Sequence, residues 1–101
     1  MLIFNTTYKV ATEITEKWLR WLKKEHIPFM LISEQFTTPQ IVKVVGSEDE
    51  QGISYSVQFK IRDMETLMAW HKSFATEFQH NCQTNFGTEV TFFSTVLEVI
   101  E

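Results

Sequence analysis

The chain has 101 residues, of which 44% are apolar and 14% aromatic, which is one domain's length and excludes a disordered tail. Its net charge of −4 argues against a nucleic-acid partner, and the single cysteine, Cys82, excludes an intrachain disulfide or a multi-cysteine metal site. No apolar run approaches the ~20 residues that span a bilayer, and Met1 to Thr6 carries no signal-peptide pattern, so a cytoplasmic protein with no membrane partner is expected.

The first element is a strand. Leu2 to Val10 alternates, with Leu2, Phe4, Thr6, Tyr8 and Val10 on one side and Ile3, Asn5, Thr7 and Lys9 on the other. Thr12 is placed to N-cap a first helix over Glu13 to His26, with a stripe of Ile14, Trp18, Trp21 and Leu22. Ile27-Pro28 is expected to stop it, because a residue before proline avoids the helical region. Pro28 then suits the start of a short extra helical turn through Ile32.

A second strand is expected from Gln40 to Val45, and residues 46–52, with Gly46, Gly52 and three acids, read as a solvated hairpin tip. Ile53 to Ile61 alternates most cleanly: Ile53, Tyr55, Val57, Phe59 and Ile61 face one way, Ser54, Ser56, Gln58 and Lys60 the other. Asp63 caps a second helix whose stripe is Leu67, Trp70, Phe74 and Phe78. That helix ends near Phe86, with Gly87 as its left-handed cap. Val90 to Ile100 is the last strand.

The order β-α-β-β-α-β, with right-handed crossovers, gives an α+β ferredoxin-like domain over residues 1–101. Its four-stranded antiparallel sheet has the order 4-1-3-2, with both helices on one face. Both sides of the last strand carry apolar residues, and it is an edge without proline or lysine. Such an edge invites pairing with another chain. A homodimer with facing sheets follows, and a semi-polar space between them.

The start Ile3-Phe4-Asn5-Thr6-Thr7, the segment Trp18 to Trp21 leading to His26-Ile27-Pro28, the turn Phe36-Thr37, the strand Tyr55 to Phe59 and the close from Phe86-Gly87 through Phe93, Leu97 and Glu98 together resemble the uncharacterised bacterial domain-of-unknown-function family 4286. The helix ending in His-x-Pro also resembles the wider dimeric α/β-barrel superfamily. The resemblance implies a ferredoxin-like fold and a homodimer, and no particular reaction. Phe29 stands where members often have Asp, and Ser94 where they often have Arg, so no role of those residues comes across.

His26 is the candidate acid/base. A helix C-terminus would favour its charged form by ~0.3–1 kcal/mol; otherwise it only fixes the Pro28 turn. His71 reads as a core or boundary residue on its helical stripe. No histidine pair has metal-ligand spacing, and no metal or cofactor is expected. The three tryptophans read as packing residues. By exclusion, a ligand between the sheets would be read by Asn5, Thr7, Ser56, Gln58 and Thr95, with His26 at the mouth. The leading expectation is a homodimer that binds a small molecule or partner. The alternatives are a cofactor-independent oxygenase or isomerase in the same cavity and a purely structural module.

Overall fold

Strict alternation needs no tertiary help to declare a strand, and it sets the two inner strands of the sheet. In the computed structural model, which describes residues 1–101, β1 is Leu2–Val10 and β3 is Ile53–Ile61. β2 is Thr37–Lys43 and β4 is Val90–Glu98. The four strands lie in the order β2-β3-β1-β4, every pair antiparallel. That is the expected order read from the other edge. β2 starts earlier than expected because Thr37 pairs with Lys60 ahead of an irregularity between Thr37 and Gln40. Pro39 sits in that irregularity on an edge strand, where its missing donor breaks no ladder.

The first helix departs from expectation at both ends. Ala11, not Thr12, precedes it, and no side chain caps it. A short 3-10 turn, Thr12–Ile14, leads into α1, Thr15–Trp21. Pro28 does not stop the chain. A π-helical turn, Leu22–His26, joins α1 to α2, Ile27–Ile32, without a break. Ile27 keeps helical angles, φ −61° and ψ −46°, and its N–H bonds Leu22 O. A proline ring collides with the carbonyl four residues back; the extra residue of a π turn widens the ladder and relieves that collision.

The second helix follows the sequence. Asp63 caps α3, Met64–Phe86, by accepting from Thr66 N–H at 2.9 Å, and Gly87 ends it at φ +56°. Gly52 is obligatory at the hairpin: its φ is +132°, and a Cβ there would lie 1.9 Å from Val10 O.

Both helices cover one face of the sheet, and aromatic rings fill the space. Trp18 lies 5.2 Å from Tyr8 and from Tyr55; Trp70 lies 4.9 Å from Phe36 and 5.6 Å from Phe4, ring centre to ring centre. Trp18, Trp21 and Trp70 are buried as expected. Two α3 residues are not. Phe74 keeps 37% exposure, and His71 is exposed rather than packed. The buried stripe of α3 instead continues through Phe78, Cys82 and Phe86. No helix is long and apolar enough to cross a membrane.

The layering leaves a thin plate, 38 × 31 × 19 Å. Its accessible surface is 6547 Å², against roughly 6,000 Å² for a monomer of this mass.

Candidate functional site

The helix-free face is built by strand parity. Alternate residues of a strand share a face, so Asn5 and Thr7 of β1 stand on it. Pairing register brings Gln58 of β3 and Thr95 of β4 beside Asn5, and Ser56 and Phe93 beside Thr7. Two cross-strand rows result. One runs Gln40, Gln58, Asn5, Thr95; the next runs Val42, Ser56, Thr7, Phe93.

All five residues expected to read a ligand are joined in one hydrogen-bond network. Gln58 Nε2 donates to Ser56 Oγ at 3.4 Å, and the Ser56 hydroxyl donates to Asn5 Oδ1. Asn5 Nδ2 donates to Thr7 Oγ1 at 3.2 Å and to Thr95 Oγ1 at 3.1 Å. Asn5 and Ser56 are buried at 7% and 8% exposure within a single chain, which fixes the middle of the network.

Beside the network lies a depression of about 380 Å³, lined by Thr7, Lys9, Ser54, Thr91, Phe92 and Phe93, with the ring of Phe93 on this face. Phe93 stands up from the sheet at 61% exposure, and Leu97 further along β4 at 42%. Lys9 closes one end. Its ammonium donates to Ser47 O at 2.8 Å and pairs with Asp49 at 2.9 Å, which ties the hairpin tip to the sheet. That hydrogen bond from Lys9, with a further one from Gln51 N–H, holds the Asp49 carboxyl below the usual range. Sequence reasoning missed Lys9, Thr91 and Phe93 as lining residues. Strand parity held the signal, since all of them share the face of Thr7.

His26 is not at the mouth of this depression. It lies in the helix layer, stacked on Trp21 at 5.0 Å, with Phe29 at 6.2 Å and Phe78 at 5.1 Å. Phe78 in turn packs on Phe4 and Phe92, whose side chains point to the helices. Because the helix continues past Pro28, His26 has no free helix end beside it. Burial pushes its imidazole down to about 4, the reverse of the expected direction. The magnitudes decide this: a helix end is worth ~0.3–1 kcal/mol, whereas such a shift is worth about 3 kcal/mol. The sequence places His26 at the mouth of the pocket; the structure puts it in the helix layer and leaves the five-residue network as the candidate site. Among the other histidines, His80 bonds only Thr84, at 3.2 Å.

The family model described as "Domain of unknown function (DUF4286)" matches residues 1–100. No curated protein matches the chain. Two solved structures from an uncultured marine organism, each described as a dimeric ferredoxin-like protein, share the fold. One has 11% identity and a TM-score of 0.70 and covers 99% of this chain and 95% of its own; the other has 13%, 0.69, 100% and 96%. A third, described as a "putative antibiotic biosynthesis monooxygenase" from Deinococcus radiodurans, has 14% identity and a TM-score of 0.67. It is covered over 94% of its length by all of this chain.

Proposed function

From the premise that this chain belongs to the DUF4286 family, we propose that it acts as a homodimer whose helix-free sheet faces meet and hold a small molecule between them. The carrying observation is that one face joins a five-residue polar network to a 380 Å³ depression and to exposed apolar side chains. Polar groups of that kind, once buried, must be satisfied by one another, by water or by a ligand. Apolar side chains beside them gain from being covered.

The edge strand adds a second support. β4 pairs only with β1 and carries Phe93, Val96 and Leu97 at 42–61% exposure, with Val99 just beyond its end at 39%. A long apolar edge of this kind favours a partner chain. The two marine structures described as dimeric support the same reading. A stable interface needs more than ~1,000 Å² in total, and two plates laid face to face have the area.

The role is binding rather than turnover. With His26 in the helix layer, the titratable side chains on the open face are Lys9, tied to Asp49, and Lys60. Native mass spectrometry tests the reading. It predicts a species of twice the 11.9 kDa chain mass, carrying a small-molecule adduct that is lost on collisional activation. A monomer without an adduct would refute it. The variants Val96→Lys and Leu97→Lys should each give monomer or aggregate; if both stay stable dimers, β4 is not in the interface.

A further inference from the structure

The network on the open face has a direction. Asn5 Oδ1 is taken by the Ser56 hydroxyl, so both N–H bonds of the Asn5 amide point the other way, to the oxygens of Thr7 and Thr95. A threonine hydroxyl has one proton to give. Thr7 and Thr95 each accept from Asn5, and neither side chain has another hydrogen-bond partner in the chain. Two hydroxyl protons are therefore left over. They stand on neighbouring strands, anchored to one amide nitrogen, and Thr7 lines the depression beside Phe93.

We propose that Thr7 and Thr95 are a two-donor seat for an acceptor-only oxygen, a carboxylate or carbonyl, carried on a flat apolar molecule. This rests on the reading of the open face as a ligand site. Charge supports the same class. None of the positions that β1, β3 and β4 present on this face is Asp or Glu, and its ionic side chains are Lys9 and Lys60. The nearby carboxylate of Asp49 is already engaged by Lys9. A cationic ligand would find no counter-charge. An oxyanion would find two donors and no carboxylate among the strand residues of the face, and charge-assisted hydrogen bonds are the stronger kind. The exposed ring of Phe93 offers the apolar body a stacking surface.

Ring-matched probes test the seat. Benzoate, benzylamine and benzene are titrated into the full-length protein while NMR follows the Asn5 side-chain amide and the backbone of Thr7 and Thr95. Benzoate should move these signals and bind roughly tenfold or more tightly than benzylamine, the ratio that one charge-assisted hydrogen bond supplies. Asn5→Asp should abolish the preference, because its carboxylate oxygens take up both threonine protons. Thr95→Val should weaken benzoate by a similar factor, and Thr95→Ser should restore it. Should Asn5→Asp fail to fold, the Thr95 pair decides alone. The seat is refuted if benzylamine binds as well as benzoate, or if the preference survives in Asn5→Asp and Thr95→Val. Benzene binding at the face would then leave the pocket standing. If no probe moves an open-face signal, the pocket falls and the seat with it.

Discussion

Three buried polar atoms have no hydrogen-bond partner: Tyr8 Oη, Trp18 Nε1 and His26 Nδ1. An unsatisfied buried group costs about 1–3 kcal/mol. Tyr8→Phe removes one such group and keeps the ring, so chemical denaturation should find the variant equal to the parent or up to ~1 kcal/mol more stable. His26 adds pH dependence. Its folded value of about 4 lies below the ordinary 6.5, so the unfolded chain binds the proton more readily. Stability is then full above pH 6.5 and falls as pH drops toward 4, by about 3 kcal/mol in all. His26→Phe should flatten that slope while keeping the contacts with Trp21 and Phe78, and denaturant melts at pH 7 and pH 5 would read it. Trp18 is fully buried, and Trp18→Ala should cost ~3–5 kcal/mol. The sequence showed Trp18 as core because its stripe lies inside an unbroken run of helical spacing. It misplaced His26 because that position depends on what the helix does at Pro28.

Elements were legible where a local rule had no competitor. Period-2 alternation placed β1 and β3 to the residue, and Asp63 and Gly87 marked the two ends of α3. Pro28 is the counter-example: the rule that proline ends a helix lost to a π turn, which no spacing in the chain announces. The Asp63 cap has a pH signature. Its hydrogen bonds to the Thr66 hydroxyl and N–H, and then to Arg62, hold the carboxyl at about 2. A lowered carboxylate stabilises the fold above its ordinary value and loses that contribution as pH falls toward 2. Asp63→Ala should therefore lower the melting temperature at pH 7 and narrow its difference from the parent in strong acid. The hairpin has one position with no alternative. Gly52→Ala would drive a methyl into Val10 O, and circular dichroism should find the variant largely unfolded or melting far below the parent.

At the scale of the molecule, the plate has one face without helices, and the apolar edge strand β4 runs along it. The shared face of the candidate site residues was legible for the same reason as the strands. Once strand order is set, parity decides which side chains share a face, and Asn5, Thr7, Ser56, Gln58 and Thr95 met as expected. Lys9 and the depression it closes were not legible, because they depend on where the hairpin tip lands. The central claim is that two open faces cover each other. Light scattering on the eluting peak of a size-exclusion run at micromolar concentration tests it most directly. The account predicts twice the 11.9 kDa chain mass, falling to a single chain mass in any Leu97→Lys protein that remains in solution. A wild-type peak at the mass of one chain would contradict it.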